Sequence, residues 1–132
     1  MSEFEKFIEK FKGDAELRAD LQEIFTAVGH VLQNGALERY FRYEGRHRDH
    51  VVALPVYRSR LRLYCLRMSD SILIIGNGGK KETRTYEESN ELNGYVISLQ
   101  KLDTLISEGI KDGSITIEQT TMNIDEDKTF DI

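Results

Sequence analysis

The stretch YRSRLRLYCLR, residues 57–67, alternates polar with apolar side chains in the way of a β-strand. Successive side chains of a strand point to opposite faces, so this strand is predicted to have one apolar and one cationic face. The apolar face carries Leu61, Leu63 and Cys65, and the cationic face carries Arg58, Arg60, Arg62 and Tyr64. Neighbouring guanidinium groups repel one another, so such a row is expected where water solvates it freely or where an anion binds.

Three further segments are predicted to form strands. After a turn at Ser69 and Asp70, the apolar run SILII (71–75) is typical of a strand covered on both faces, and the two strands are predicted to form a hairpin at the centre of a sheet. The following GNGG (76–79) predicts a break or a bulge. VVALPV (51–56) is predicted to be a short strand that Pro55 ends or confines to an edge. SITIE (114–118) is predicted to pair at an edge of the same sheet.

Three helices are predicted from caps and from the spacing of apolar residues. The capping-box pattern of Ser2 and Glu5 opens a short amphipathic helix, and Asp14 is predicted to cap a longer one that ends near Asn34. A third helix is predicted from about residue 92 to residue 109. The stripe of the long helix that is predicted to pack on the apolar strand face contains Leu21, Ile24, Phe25 and Val28. The fold class is therefore α+β, with a small, mainly antiparallel sheet packed on N-terminal helices and a further helix after the sheet.

Chain length and cysteine content limit the classes of protein to which this chain can belong. The 132 residues are the usual size for one domain, and residues 1–132 are predicted to form one, with an acidic tail from about residue 120. The single cysteine cannot form an internal disulfide, and no series of charged, apolar and small residues opens the chain as a secretion signal would. The longest apolar runs are too short to span a bilayer. These features predict a cytoplasmic protein with no membrane partner.

The net charge of −5 conceals an uneven distribution. Residues 39–84 contain eleven basic and four acidic residues, a local charge of +7. The rest of the chain contains seven basic and nineteen acidic residues, a charge of −12. A basic middle within acidic flanks is typical of an anion-binding face, and chance clustering on a solvated face explains the pattern equally well.

Motifs for nucleotides and metals are incomplete. GNGGKK lacks the spacing of a phosphate-binding loop, so a turn is the better interpretation. Asn123, Asp125 and Asp127 begin like a calcium loop, but no glycine or closing glutamate follows at the required offsets. Cys65 is expected in the core, and no histidine and cysteine spacing supports zinc. Neither a metal nor a cofactor is predicted.

The remaining candidates for chemistry come from the arginine strand, the lysine pair and the flanking loops. If the hairpin forms, these residues line one sheet face, where they can bind phosphodiesters and stabilise charge that develops at phosphorus. Tyrosine, histidine or lysine side chains can transfer protons. The candidate catalytic residues are Arg60, Arg62, Tyr64, Lys80 and Lys81. The candidate nucleic-acid-binding residues are Arg58, Arg84, Tyr86 and His50.

A helical hairpin followed by LRLYCLR, SILIIGNGG and KKETRTYEE, and then by a helix, resembles the RelE/HigB-type toxin superfamily of bacterial toxin–antitoxin systems, including its phage-derived branch. The resemblance covers roughly residues 21–105. By position, Arg62 matches the strand arginine, Lys80 and Lys81 match the paired lysine, and Thr83 matches the threonine after it. The resemblance implies cleavage of messenger RNA on the ribosome and a helix-turn-helix antitoxin partner. Members usually begin with a strand and are basic overall, whereas this chain begins with a helix and is acidic.

The leading hypothesis is a toxin-type endoribonuclease that acts on messenger RNA without a metal, through attack of a 2′-hydroxyl on its own phosphodiester. Arginine and lysine side chains of the candidate set would hold the phosphate, and Tyr64, Tyr86 or His50 would transfer protons. The alternative is a non-catalytic RelE-like binding module whose basic sheet face docks on an acidic partner protein or nucleic acid. A third interpretation leaves the arginines merely solvated.

Overall fold

Helices cover both faces of a four-stranded antiparallel sheet. A computed structural model describes residues 2–43, 50–56, 59–81, 89–117 and 122–124. The helices are α1 (Glu3–Phe11), α2 (Arg18–Asn34) and α3 (Asn90–Asp112), with short 3₁₀ turns at Ala15–Leu17 and Glu38–Tyr40. The strands are β1 (Arg42–Tyr43), β2 (Val51–Leu54), β3 (Leu61–Ser69), β4 (Ile72–Lys80), β5 (Ile115–Ile117) and β6 (Met122–Ile124). The predicted α+β class is confirmed, with N-terminal helices before the sheet and a helix after it.

The cap of α1 lies where the sequence places it, whereas α2 begins after Leu17 without a side-chain cap. The Glu5 amide donates to the Ser2 hydroxyl at 3.1 Å, and the Ser2 amide donates to the Glu5 carboxylate at 3.2 Å. This exchange satisfies two amides that lack a partner within the helix. Asp14 caps the first 3₁₀ turn, which leads directly into α2. At the end of α2, Gly35 has a φ of +94°, which residues with a side chain rarely adopt.

The strands of the main sheet follow the order β1-β2-β3-β4, and each neighbouring pair is antiparallel. β3 therefore lies inside the sheet, whereas β4 forms an edge of it. The predicted hairpin is present, but it occupies one side of the sheet rather than its centre. Pro55 follows β2 directly and ends it, because proline has no amide hydrogen to donate to a neighbouring strand.

A bulge interrupts β4 within GNGG. Cys65 pairs with Ile75 and Leu63 pairs with Gly78, so a step of two residues on β3 lies opposite a step of three residues on β4. A side chain at Gly78 would overlap the carbonyl oxygen of Arg62, so this close approach of two backbones requires glycine. The predicted bulge is confirmed, and β4 continues through it to its last residue.

The sheet face towards α1 and α2 carries the predicted apolar row. Its core contains Leu61, Leu63 and Cys65 of β3 together with Leu21, Ile24 and Val28 of α2. The predicted packing of the long helix on this strand is therefore confirmed for these residues. Phe25, which the sequence places in the same stripe, is instead 38% exposed, and its ring meets that of Phe4 edge-on at 6.3 Å between centroids.

The opposite sheet face lies under α3. A second core on this side contains Val51, Ala53, Tyr64 and Leu66 of the sheet with Leu92, Val96, Leu99 and Ile106 of α3. The side chains of β3 that the sequence assigns to a cationic surface therefore point into the protein. This covering by α3 determines what the candidate site residues can contact.

The SITIE segment does not pair with the main sheet. β5 pairs with β6 in a separate two-stranded sheet. Gly113 has a φ of +85°, which ends α3, and Ile115 then enters the core beneath that helix. The predicted edge position is wrong because β5 pairs with β6 and Ile115 packs into the core with α3. β6 lies within the predicted acidic tail, and residues 125–132 of that tail lie outside the described residues.

Candidate functional site

The ladder between β3 and β4 brings three basic residues to one end of the sheet. Lys80 ends β4 and pairs with Leu61, the first residue of β3. The amide of Lys81 donates to the carbonyl of Arg60 at 2.8 Å. Lys80 is exposed and Lys81 is partly exposed. Arg60, Lys80 and Lys81 are termed here the cationic end of the sheet.

Arg60 does not share a face with Arg62. Its Nε and Nη2 donate to Oδ2 of Asp20 on α2 at 3.0 and 2.8 Å, and its amide donates to Oδ1 at 3.0 Å. Nη2 also donates to the carbonyl of Glu16. The predicted common face is wrong for Arg60 because strand geometry begins only at Leu61, so the alternation does not extend to the residue before it.

Asp20 is the carboxylate that accepts these hydrogen bonds. Its side chain is only 12% exposed, and burial alone would raise the pKa of its carboxyl. Hydrogen bonds from the backbone and side chain of Arg60 and from the Ser59 hydroxyl outweigh burial and lower this pKa below its ordinary value. The charge of Arg60 is thus largely offset by its partner. Lys80 and Lys81 are the other two basic residues of the cationic end.

Arg62 and Tyr64 lie inside the protein. Arg62 is 2% exposed, and its Nη1 donates to the carbonyls of Ser59 and Leu61 at 2.8 and 3.1 Å. Tyr64 is fully buried in the core between β3 and α3. The prediction that Arg62 lies on a solvent-facing surface with the lysines is wrong, because α3 covers this face of the sheet. A substrate in solution does not reach either side chain in this arrangement.

His50 and Asp103 form a close pair across the space between β2 and α3. Nδ1 of His50 lies 2.7 Å from Oδ1 of Asp103. Asp103 is 7% exposed, whereas the side chain of His50 is 42% exposed. The sequence identified His50 as a candidate but missed Asp103. The signal in the sequence was an acidic residue within the apolar stripe of a predicted helix.

The His50–Asp103 pair and the cationic end lie at opposite ends of the sheet. The amide of Arg67 donates to the carbonyl of His50 at 2.9 Å, so His50 lies beside the last part of β3, whereas Arg60 precedes that strand. Seven residues of extended chain separate these positions by about 23 Å. The predicted convergence of His50 with the lysines is therefore not observed. The predicted residues Arg58, Arg84 and Tyr86, together with Thr83 of the family motif, lie outside the described residues.

Other kinds of chemistry receive little support from the described part of the chain. No group of three or more His, Cys, Asp or Glu side chains gathers there in a way that could hold a metal ion. Burial raises the pKa of the Cys65 thiol to about 12, so this cysteine stays protonated. Within the same residues, no helix is both long and apolar enough to cross a membrane. The cationic end and the His50–Asp103 pair are thus the two features with recognisable chemistry.

Comparison with known proteins does not identify a relative. No protein-family model, curated protein or solved structure matches this chain. The resemblance to RelE/HigB-type toxins therefore stays a prediction that depends on the short motifs of β3, β4 and the lysine pair. A functional assignment has to be built from the cationic end and the His50–Asp103 pair.

Proposed function

We propose that this chain is a toxin-type endoribonuclease that binds messenger RNA and cuts it without a metal ion. The observation that carries the proposal is the cationic end, where the β3–β4 ladder brings Lys80 and Lys81 next to Arg60. Lys80 and Lys81 are the lysine pair of the motifs that resemble RelE/HigB-type toxins. An antiparallel sheet packed on helices is also what this resemblance implies, although members usually begin with a strand and this chain begins with a helix.

RNA phosphates are the ligands that the cationic end fits best. Lysine ammonium groups bind phosphates as point charges, and each contact releases counterions from the nucleic acid. The phosphate contacts are assigned to Lys80 and Lys81, because Lys80 is exposed and Lys81 is partly exposed at the end of β4. The role of Arg60 is to anchor the start of β3 on α2, which fixes the neighbouring backbone of Lys81.

The partners follow from the same proposal. The chain carries a net charge of −5, so long-range attraction to RNA is weak and the local contacts of the cationic end matter most. A ribosome that presents messenger RNA would supply further contacts. The proposal places the protein in the cytoplasm and pairs it with a helix-turn-helix antitoxin protein.

Binding to a single-stranded RNA at several salt concentrations tests the cationic end. Affinity should fall by about 0.7 log unit per phosphate contact for each tenfold rise in salt, and Lys80→Ala/Lys81→Ala should lower this slope by about 1.4. The control Lys12→Ala/Lys101→Ala removes the same charge from two exposed positions, one directly after α1 and one on α3, and should leave the slope unchanged. Equal slopes for the two double variants would refute the cationic end as the RNA site.

Cleavage of messenger RNA, measured with and without ribosomes in the presence of a chelator, tests the activity. Cutting should persist, because the proposed chemistry uses no metal. The products should carry a cyclic phosphate, because the attacking group is a 2′-hydroxyl of the RNA itself. Wild-type protein that cuts no RNA under either condition contradicts the nuclease.

A second candidate is a non-catalytic RelE-like module that docks on an acidic partner protein or nucleic acid. The observation that favours it is the burial of Arg62 and Tyr64, two of the five predicted catalytic residues, beneath α3. Such a module binds through Lys80 and Lys81 and leaves RNA intact. Salt-dependent binding that the double lysine variant weakens, without any cleavage, would identify this function.

A further inference from the structure

An acidic residue interrupts the apolar stripe of α3. Asp103 is buried on the face that packs on the sheet, between Leu99 and Ile106. Aspartate favours helices less than aliphatic residues do, and burying its charge costs free energy unless hydrogen bonds compensate. An aliphatic side chain would make both the helix and the core more stable. The identity of this residue is therefore better explained by its contact with His50.

His50 is held in place from two sides. Its Nδ1 lies 2.7 Å from the buried carboxylate of Asp103, and its carbonyl accepts from the amide of Arg67 at 2.9 Å. The next residue, Val51, is fully buried in β2. The residue is thus held to both the sheet and α3, while its side chain stays 42% exposed to solvent.

The hydrogen bond determines which ring nitrogen is basic. An ionised carboxylate accepts hydrogen bonds but cannot donate one, so the hydrogen between His50 and Asp103 belongs to Nδ1. In the neutral ring Nε2 then carries the lone pair. A half-exposed imidazole with a basic Nε2, oriented by a buried carboxylate, is an arrangement suited to general base catalysis.

We propose that His50 and Asp103 are the proton-transfer pair of this protein, an inference that rests on the proposed ribonuclease function. The substrate class is an RNA phosphodiester with an adjacent 2′-hydroxyl. His50 is the catalytic residue, since its Nε2 contacts the reacting hydroxyl. Asp103 is a positioning residue, which holds the ring in one tautomer and stabilises the imidazolium that forms.

In the proposed step, Nε2 of His50 takes the proton of the 2′-hydroxyl while the oxygen bonds to the adjacent phosphorus. The bond from phosphorus to the 5′ oxygen of the next nucleotide breaks, and that oxygen takes a proton from water. The imidazolium returns its proton to the hydroxide that remains. The products are a 2′,3′-cyclic phosphate and a 5′-hydroxyl, so atoms and charge balance.

The cationic end and the pair make separable contributions. They lie about 23 Å apart along the sheet, a distance that a single strand of several nucleotides can span. Phosphate contacts position a nucleic acid without performing chemistry on it. Loss of the lysines should therefore weaken RNA binding, whereas loss of the pair should slow bond cleavage in RNA that is already bound.

Nitrogen NMR of the imidazole groups tests the pair without a substrate. In the wild-type protein, neutral His50 should carry its hydrogen on Nδ1. This tautomer should lose its dominance in Asp103→Asn, because an amide can donate as well as accept. The control Asp14→Asn, at a cap where asparagine serves equally well, should leave His50 unchanged. A wild-type His50 with its hydrogen on Nε2 would overturn the inference, whatever the activity.

Single-turnover cleavage of a short RNA tests the role of the pair. His50→Gln should lower the rate by about 100-fold or more at unchanged RNA affinity, and Asp103→Asn should lower it by about tenfold or more. The control His30→Gln changes an exposed histidine of α2, on the other side of the sheet, and should keep the wild-type rate. Circular dichroism checks that each variant is folded, and the NMR result on wild-type protein decides the inference if neither variant folds.

The outcomes separate the inference from the function on which it rests. Wild-type cleavage that His50→Gln leaves intact would overturn the pair and leave the proposed function standing. Wild-type protein that cuts no RNA would overturn the proposed function and, with it, this role of the pair. Slow cleavage by His50→Gln and Asp103→Asn at wild-type affinity supports the inference.

Discussion

The guanidinium of Arg60 binds the carboxylate of Asp20 through two nitrogens, at 3.0 and 2.8 Å, and so joins the start of β3 to α2 across forty residues of chain. Both hydrogen bonds end on Oδ2 of a carboxylate that is largely buried, and such charge-assisted hydrogen bonds are stronger than those between neutral groups. The pair explains why Arg60 lies on the α2 side of the sheet.

Removal of the Asp20 carboxylate should destabilise the fold. Asp20→Ala deprives the Ser59 hydroxyl and the amide and guanidinium of Arg60 of their acceptor, so we expect a loss of roughly 2 kcal/mol in the free energy of unfolding. The control Glu9→Ala removes an exposed ion pair to Lys12 and should cost less than about 0.5 kcal/mol. Urea unfolding measures both. Equal losses for the two variants would contradict a structural role for the Asp20 contact.

The Asp20 carboxylate should also make the free energy of unfolding depend on pH in acid. Burial opposes ionisation of Asp20, but hydrogen bonds from Arg60 and Ser59 hold its pKa below the ordinary value of 3.8. A lowered pKa in the folded state gives stability that is present above the unfolded pKa and is lost as pH falls through the folded one. The difference in free energy of unfolding between wild type and Asp20→Asn should therefore stay constant near neutral pH and shrink below about pH 4. Urea unfolding at a series of pH values measures it, and a constant difference throughout would contradict the prediction.

Two glycines with opposite surroundings should respond in opposite directions to alanine. A side chain at Gly78 overlaps the backbone of β3, which cannot move aside, so Gly78→Ala should cost about 3 kcal/mol of unfolding free energy or more. Gly94 lies on α3 with open space around it, and Gly94→Ala should add roughly 0.5 to 1 kcal/mol. Urea unfolding compares the two. A Gly78→Ala protein as stable as wild type would disprove the bulge and its register.

Cys65 should be inert in the folded protein. Its burial raises the pKa of the thiol to about 12, and only the thiolate attacks disulfide reagents. At neutral pH we expect labelling by an aromatic disulfide to be slow in native protein and rapid in concentrated guanidinium chloride. Native labelling as fast as that of the unfolded chain would show that Cys65 is accessible, contrary to its place in the core beneath α2.

Elements with local causes could be predicted from the sequence. Ser2 and Glu5 lie three residues apart, so their capping exchange depends only on the first turn of α1. The alternation of β3 and the bulge in GNGG likewise depend on neighbouring residues. The apolar stripe of α2 identified its partner face on the sheet, because the only complementary apolar row in the strand was that of Leu61, Leu63 and Cys65.

Features set by distant parts of the chain could not be predicted. Alternation shows that two faces of β3 differ, but it does not show that a later helix covers the cationic one. The direction of Arg60 depends on Asp20, which precedes it by forty residues. The contact of Asp103 with His50 is visible only in the fold, because the two residues lie 53 positions apart in the sequence. The candidate site was therefore predicted in composition but not in arrangement.

Arg62 is the residue for which the sequence and the structure predict opposite results. As an RNA ligand, it would contribute about 0.7 to the salt slope of RNA binding, and Arg62→Ala would remove that contribution. As a buried donor to the carbonyls of Ser59 and Leu61, it should instead support the fold. We therefore expect Arg62→Ala to lower the free energy of unfolding by roughly 2 to 3 kcal/mol and to leave the salt slope of the folded protein unchanged.

The exposed Lys80 provides the comparison, since Lys80→Ala should lower the slope with little effect on stability. Urea unfolding and RNA titration on the same samples measure both quantities, and an Arg62→Ala protein of wild-type stability with a lowered slope would return this arginine to the RNA-binding surface.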